Sequence, residues 1–344
     1  MTATLSPKER LLRTLNKQSV DRPPIICPGG MMNSAIVEIM KETGHTLPSA
    51  HHSEELMTAL SADVQNYTSF ENFGIPFCMT VEAEVLGSEI NYGSLECEPK
   101  IQKEVFHSVK EVSFLRQGAM SKNHRVATVV QSIYNLSKKN SGIPVIGSLT
   151  GPFSTAASLV EPMQFLKELR RESEASHRFI DYVCDHLIEY AKLMVDNGAS
   201  VISIADPTAT GEILGPKMFE EYAVTYLNKV VDRLHEMNVP VIVHICGRMD
   251  AVKQQIAMLH GDALSVDAFV NLKNIKTEIP NVATMGNLST YLLEFGTPDK
   301  IYMQTERLLD DRINIIAPAC GLSTSTPLAN IKAFTKAVIE RHGY

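Results

Sequence analysis

The segment Val241-Ile-Val-His-Ile-Cys-Gly-Arg248 decides how the rest of the chain is interpreted. Its first three residues are apolar and β-branched, which is typical of a buried strand, and a glycine ends the run. His244 and Cys246 therefore fall at or near the C-terminal end of the strand, and side chains two apart on a strand share a face. An imidazole and a thiol on one face are two metal ligands for which Zn2+ is the commonest ion.

A third ligand candidate stands at the end of another apolar run, where Cys320 follows residues 313–319. Three protein ligands leave one position of a tetrahedral zinc open for chemistry, whereas a structural zinc site is closed by four. The three candidates thus favour a catalytic zinc over a structural one. The alternative is that these residues bind no metal, because a His-x-Cys pattern often arises by chance and a buried cysteine usually packs as a small hydrophobic residue.

Composition and charge exclude several classes of function. The chain has 344 residues, a formal net charge of -7 and no block of lysine or arginine, so it offers no electrostatic footprint for nucleic acid. It contains no run of about 18 apolar residues and no apolar signal-peptide core, which predicts a soluble, cytoplasmic protein without a membrane partner. Its 6 cysteines are too sparse for a disulfide framework, so we expect reduced thiols or metal ligands.

Strand-like runs alternate with helical ones along the chain, which predicts parallel βαβ units. The predicted strands cover residues 25–27, 76–84, 142–149, 201–205, 241–244, 263–266, 282–285 and 313–317. Before them, Ser6 and Glu9 form a capping box that predicts a helix inside an N-terminal extension, residues 1–22. Among the longest helical patterns, residues 179–194 place apolar side chains on one stripe.

Nearly every predicted strand ends in a polar or metal-binding residue, and this decides between a closed barrel and an open sheet. The residues are Cys27, Ser148, Asp206, His244, Asp267, Asn287 and Cys320. An open sheet would concentrate functional groups at one switch point, whereas a barrel rings its site with the ends of all its strands. We therefore predict an α/β protein, a (β/α)8 TIM barrel that forms one domain over residues 1–344.

Several further residues are weaker candidates. Asp206, Asp267 and Asn287 are candidate cofactor-binding residues, although the two aspartates could equally cap the helices that follow them. Arg248 is a candidate for an anionic group of a substrate, with a plain surface arginine as the alternative. Two pairs complete the set. His51 and His52 are expected to be solvated. Glu82 and Glu84 are expected to share one face of a strand, where either both lie exposed or one of them fills the open zinc position before a thiol binds.

Several of these segments together resemble the uroporphyrinogen decarboxylase superfamily. They are His244-Ile245-Cys246 with distant Cys320, Pro28-Gly29-Gly30-Met31-Met32-Asn33, residues 76–84, Thr150-Gly151-Pro152-Phe153 and Ser265-Val266-Asp267. Within the superfamily the chain is most similar to the methylcobalamin:coenzyme M methyltransferases, in which such a triad binds zinc. That resemblance implies that His244, Cys246 and Cys320 are the zinc ligands and catalytic residues.

The resemblance also implies the reaction. A zinc-bound thiol, with coenzyme M as the expected substrate, would lose its proton and take a methyl group from methylcobalamin. The chain lacks the Asp-x-His-x-x-Gly motif of corrinoid carriers, so we expect the corrinoid on a partner protein. Homocysteine or tetrahydrofolate are alternative acceptors, and a decarboxylase is a further alternative. Decarboxylation is disfavoured, because residues 29–33 replace the arginine-rich loop that would anchor a polycarboxylate porphyrinogen.

Overall fold

A seven-stranded sheet forms the centre of the computed structural model, which describes residues 4–139 and 141–341. All its neighbouring strands run parallel, in the order β1-β4-β5-β6-β7-β8-β9. Its members are β1 (Phe73–Ile75), β4 (Val145–Thr150), β5 (Val201–Ala205), β6 (Val241–Ile245), β7 (Ala263–Val266), β8 (Ala283–Leu288) and β9 (Ile315–Pro318). The prediction of a single domain over residues 1–344 stays a prediction, and residues 1–3, 140 and 342–344 of that range lie outside the described residues.

The segment predicted as the first strand joins the two edges of this sheet. Ile25 forms a parallel bridge with Ile316 of β9. On its other side, the Asn72 side chain accepts from the Cys27 amide and donates to the Cys27 carbonyl, both at 2.9 Å. Gly74 in β1 permits this approach, because a Cβ there would lie 2.6 Å from the carbonyl oxygen of Pro28. The sheet therefore closes into the predicted barrel, with a side-chain amide in place of one regular strand pairing.

Helices cover the outside of the barrel, and a two-stranded antiparallel ribbon, β2 (Glu89–Asn91) and β3 (Lys100–Lys103), lies apart from the main sheet. The helices are α1 (Pro7–Leu15), α2 (Val37–Thr43), α3 (Glu54–Thr68), α4 (Val81–Val85), α5 (His124–Ser137), α6 (Pro152–Ala157), α7 (Pro162–Arg171), α8 (Ser173–Asp196), α9 (Gly211–Met218), α10 (Thr225–His235), α11 (Lys253–Ile256), α12 (Leu272–Glu278), α13 (Thr290–Phe295), α14 (Pro298–Asp310) and α15 (Leu328–Ile339). A π-helical turn, Phe219–Val224, joins α9 to α10.

The apolar stripe of α8 is buried against the barrel as predicted. Phe179, Val183, Leu187, Tyr190 and Met194 are all fully buried, because residues three and four apart lie on one face of a helix. The outer surfaces of the strands supply the other half of this layer, since all of β4, β5 and β6 are buried along their length. Among the described residues, no helix has the length and apolar character needed to cross a membrane.

The N-terminal extension is anchored at the end of the barrel where the strands begin. Ser6 caps α1 by accepting from the Glu9 amide at 3.2 Å, as the capping box predicts. Arg10 is buried and donates to Asp21 at 2.8 Å and to Glu71 at 2.6 Å. The pKa of Asp21 falls to about 2, chiefly through its hydrogen bond with Arg10. A buried ion-pair network thus connects the extension to the residue pair that precedes β1.

Two local predictions are wrong. The strand predicted over residues 76–84 lies earlier, at Phe73–Ile75, and the alternating stretch instead forms the short helix α4. Glu82 and Glu84 therefore do not share a strand face: Glu82 is buried, and Glu84 pairs with Arg125. His51 was expected to be solvated but is fully buried. A period of two in a segment this short does not distinguish a strand from one helical turn.

Candidate metal centre

His244, Cys246 and Cys320 meet at the C-terminal mouth of the barrel. His244 is fully buried within β6, Cys246 directly follows that strand, and Cys320 lies just beyond the end of β9. Nε2 of His244 is 3.2 Å from Sγ of Cys246, which is 3.9 Å from Sγ of Cys320. The candidate ligand atoms of all three lie within 4.8 Å of one another. Closure of the sheet brings β6 and β9 to the same opening, although the two cysteines are 74 residues apart.

These separations fit a tetrahedral zinc ion. With Zn–S near 2.3 Å and Zn–N near 2.0–2.1 Å, two sulfurs on a tetrahedral zinc stand about 3.8 Å apart, and a nitrogen and a sulfur about 3.5 Å. The observed 3.9 Å and 3.2 Å are close to both values. Two thiols and one imidazole also form a donor set that Zn2+ prefers, whereas Mg2+ and Ca2+ take oxygen ligands. Residues and geometry therefore suit a three-ligand zinc site.

The two thiols lie within hydrogen-bond distance of each other, with their Sγ atoms 3.9 Å apart. A hydrogen bond from Cys246 lowers the pKa of Cys320, against the opposing effect of burial. The same hydrogen bond raises the pKa of Cys246, and burial raises it further. One thiolate therefore forms readily in this cluster. A bound cation is the natural partner for the second, because it stabilises both negative charges at once.

Ser265 in β7 orients the imidazole. Its Oγ lies 2.9 Å from Nδ1 of His244, and both side chains are fully buried. The register of the sheet pairs His244 directly with Ser265. When Nδ1 carries the proton and donates to Ser265, Nε2 is left as the lone-pair donor that faces the cysteines. No role was predicted for Ser265 from the sequence, where it appears only as the first residue of the segment Ser265-Val266-Asp267 at the end of a predicted strand.

An open cavity of about 760 Å³ adjoins the triad and is lined in part by Cys320, Met31 and Met79. The sulfur of Met31 lies 3.9 Å from Sγ of Cys246, so the glycine-rich loop after the first strand segment reaches the cluster itself. Tyr291 and Glu98 also line this cavity. The cluster is therefore accessible from the barrel mouth on the side of Cys320, which leaves room for a small ligand and for a larger partner above it.

Asp206, also predicted as a site residue, is committed to contacts within the protein. Its carboxylate accepts from the backbone amides of Phe153 and Ser154 at 3.0 and 2.7 Å, and from the Ser154 hydroxyl at 2.6 Å. Burial raises its pKa to about 6, and these hydrogen bonds oppose that rise. The approach is so close that a Cβ on Gly151 would meet Asp206 at 2.4 Å. This matches the capping alternative, except that the capped helix is α6, which precedes Asp206 in the chain.

The remaining predicted residues lie around the loop that follows β7. The side chain of Asn287 donates to the carbonyls of Asp267 and Val270 at 2.9 and 2.8 Å. Asp267 in turn accepts from the amides of Gly247 and Phe269 at 3.5 and 3.3 Å. Asp267 and Asn287 thus tie the loops after β6, β7 and β8 together. Arg248 is exposed, with its guanidinium 5.7 Å from the ring centre of Phe269, beyond the triad.

Fold and site together define a class: a (β/α)8 barrel with a sulfur-rich, zinc-type ligand set at the mouth where barrel enzymes carry out chemistry. The family model described as uroporphyrinogen decarboxylase (URO-D) matches residues 6–341, and the chain belongs to that family.

Individual relatives refine this assignment. The chain is 34% identical over 329 residues to a methylcobamide:CoM methyltransferase, MtbA, of Methanosarcina acetivorans, covering 95% of this chain and 96% of that protein. It is 30% identical to MtaA of Methanosarcina barkeri, another methylcobamide:CoM methyltransferase, covering 96% of each chain. A solved structure of a methyltransferase from Methanosarcina mazei superposes with a TM-score of 0.91 at 29% identity, covering 98% of this chain and 99% of that one. These similarities confirm the predicted family and barrel fold.

Proposed function

We propose that this protein is a zinc-dependent methyltransferase that moves a methyl group from methylcobalamin, carried by a corrinoid protein, to a thiol, with coenzyme M as the expected acceptor. One observation carries the proposal. The triad of His244, Cys246 and Cys320 has the spacing of a three-ligand zinc site, in a chain 34% identical to a methylcobamide:CoM methyltransferase over nearly its whole length.

The chemistry depends on making a thiol nucleophilic at neutral pH. A free thiol with a pKa near 8.5 is mostly protonated there, and zinc supplies the missing activation because a thiol that coordinates it is deprotonated. The chain's own contribution is to hold the three ligand atoms. Ser265 sets the orientation of His244, and Cys246 and Cys320 place two sulfurs beside an open cavity. Among the described residues three side chains converge here, which would leave one ligand position of a bound zinc for the substrate sulfur.

The shape of the mouth supports an external methyl donor. A methyl transfer to sulfur proceeds in line, so the sulfur must meet the methyl carbon on the side opposite the cobalt, and the donor must reach that sulfur from the open mouth. The open cavity beside Cys320 permits such an approach. The chain carries no Asp-x-His-x-x-Gly motif of its own, which supports delivery of the corrinoid by a partner protein. A cytoplasmic location is part of the proposal, since thiolate ligands need a reducing compartment.

The loop after the first strand segment argues against a decarboxylase. In this chain the loop reads Gly29-Gly30-Met31-Met32-Asn33 and offers no cation to a polycarboxylate. Gly30 packs so closely on β4 that a Cβ there would lie 2.7 Å from Cβ of Ser148, and Met31 reaches Cys246. An arginine at position 30 would therefore require a different backbone path. This loop supports a thiol-activating site over one that binds carboxylates.

The experiment is a thiol-dependent demethylation of free methylcobalamin, followed by its visible absorbance change in the dark. Purified protein is supplied with Zn2+ and tested with coenzyme M, homocysteine and dithiothreitol, and tetrahydrofolate serves as a non-thiol acceptor. We expect turnover with coenzyme M and its loss in Cys320→Ala. The matched control is Cys184→Ala, which removes a fully buried thiol of α8 that is not part of the triad.

Each outcome has a defined meaning. Turnover with homocysteine or tetrahydrofolate but not coenzyme M would keep the methyltransferase and change its acceptor. No demethylation with any acceptor, by a protein that carries about one zinc per chain, would contradict the proposed reaction. Demethylation that persists in Cys320→Ala at the wild-type rate would remove the triad from the mechanism. Zinc content, measured on the same samples, provides a readout that does not depend on activity.

A further inference from the structure

A second thiol, Cys78, occupies a built polar environment away from the metal triad. It lies in the loop between β1 and α4 and is 6% exposed. Nη2 of Arg125, from α5, donates to its sulfur at 3.0 Å, and the hydroxyl of Thr80 donates to it at 3.5 Å. Arg125 is itself buried, and its other terminal nitrogen pairs with Glu84. A guanidinium held this close to a sulfur favours the thiolate, because both partners are withdrawn from water.

His51 provides an independent observation. Its side chain is fully buried and interacts with the Cys78 sulfur, yet neither ring nitrogen makes a hydrogen bond of full geometry with any of the described residues. Buried polar atoms are nearly always paired, so an unpartnered imidazole next to a thiol is exceptional. Nε of Arg125 is likewise buried and without a partner in the described part of the chain. Two donor side chains around one sulfur thus retain unused hydrogen-bonding capacity.

The groups around Cys78 together lower the pKa of its thiol. Burial by itself raises the pKa of a thiol. It raises the pKa of Cys27 to about 12, and it also raises the pKa of Cys184. At Cys78 burial acts the same way, but Arg125 and His51 outweigh it and lower the pKa to about 5. The titratable groups that act on Cys78, Arg125 or His51 include Glu82, Glu84, Glu98, Tyr190, Tyr92 and His52. Arg125 already neutralises Glu84, and burial raises the pKa of Glu82 to about 7, so nearby carboxylates do not cancel the positive field.

We propose that Cys78 is a second reactive thiol of this protein, a modification site for small electrophiles of the peroxide class that is separate from the metal triad. Cys78 directly precedes Met79, which lines the open cavity beside Cys320, so the thiol lies one residue from the wall of that cavity. The reaction is balanced: the thiolate sulfur attacks one peroxide oxygen, the O–O bond breaks, and an S–O bond forms. The sulfur is oxidised by two electrons to a sulfenic acid, and the departing hydroxide takes a proton to become water.

The unused donors suit the product. A sulfenic acid adds one oxygen to the sulfur, and His51 and Nε of Arg125 are donors that lack partners among the described residues. The same loop shapes the mouth, because the carbonyl of Met79 accepts from the Thr150 hydroxyl at 3.1 Å. Modification of Cys78 therefore reaches the wall of the cavity next to the triad. This inference does not depend on the proposed methyl transfer.

The test measures the alkylation rate of each cysteine by iodoacetamide in the full-length protein, using peptide mass spectrometry from pH 5.5 to pH 8.5. An ordinary exposed thiol reacts about tenfold faster per pH unit below its pKa. Cys97, which is exposed, serves as the internal reference. We expect the rate at Cys78 to change less than about threefold over this range and to exceed that of Cys97 at pH 6. A rate at Cys78 that rises tenfold per unit, or no reaction there while Cys97 reacts, would overturn the proposal.

Two further experiments distinguish a Cys78 thiolate stabilised by Arg125 from a thiol that reacts only because it is exposed. In Arg125→Lys, which retains a cation for Glu84, the rate at Cys78 should fall about tenfold at pH 6 and become pH-dependent, with an unchanged profile at Cys97. In the wild-type protein, dilute hydrogen peroxide with dimedone as trap should label Cys78 before Cys97. Preferential labelling of Cys97, or an Arg125→Lys profile identical to wild type in a folded protein, would refute a thiolate held by this cluster.

Discussion

The substitution Ser265→Ala tests how far the barrel prepares its metal site before any metal binds. It removes the partner 2.9 Å from Nδ1 of His244 in a position without solvent access. A buried donor left unpaired costs about 1–3 kcal/mol. Loss of such an outer hydrogen bond on a histidine ligand typically weakens metal binding about 10- to 100-fold, equivalent to about 1.4–2.7 kcal/mol. The two estimates agree, so we expect Ser265→Ala to weaken zinc binding within that range.

The assay is competition for zinc against a chromophoric chelator, with thermal unfolding recorded on the same preparations. The matched control is Ser132→Ala in α5, which removes an equally buried hydroxyl that donates at 2.8 Å to the carbonyl of Thr128. This control should lose some stability but keep wild-type zinc affinity. Wild-type affinity in Ser265→Ala, or an equal loss in both variants, would show that the serine does not orient the ligand.

Three other predictions follow from the geometry. Purified protein should hold about one zinc per chain, and the double variant Cys246→Ala, Cys320→Ala should hold none; stoichiometric zinc in that variant would place the site elsewhere. Arg10→Ala should lower the free energy of unfolding, measured in urea, by about 3–5 kcal/mol, because it breaks a buried ion-pair network. The control Arg13→Ala removes an exposed arginine and should change that free energy by less than about 0.5 kcal/mol. Equal effects of the two substitutions would contradict this prediction. The pKa of Asp21 is lowered in the folded state to about 2 from an ordinary 3.8, so its contribution to stability should be complete above about pH 4 and lost as the pH falls toward 2. Acid unfolding of Asp21→Asn should lack that component, and an unchanged acid profile would be inconsistent with it.

Local sequence patterns determined most of the architecture. Apolar runs closed by polar residues correctly located most of the barrel strands, and the capping box at Ser6 correctly began α1. The strand ends also placed His244, Cys246 and Cys320 at one rim, because all parallel strands of a barrel end on the same side. The failures are short segments. The strand prediction fails over α4, because a helix of five residues does not complete enough turns to show a helical period.

Only the tertiary structure decided which distant side chains meet. The pairing of His244 with Ser265 depends on the register between β6 and β7, and a shift by one residue would turn every side chain to the other face. The contact between Cys78 and Arg125 joins residues 47 positions apart, and burial of His51 depends on the packing of elements distant in sequence. Periodicity reports how a segment buries its own apolar face, and hence the secondary structure it forms. Contacts across the barrel arise from sheet closure, which depends on all strands together. No single stretch of sequence therefore predicts them.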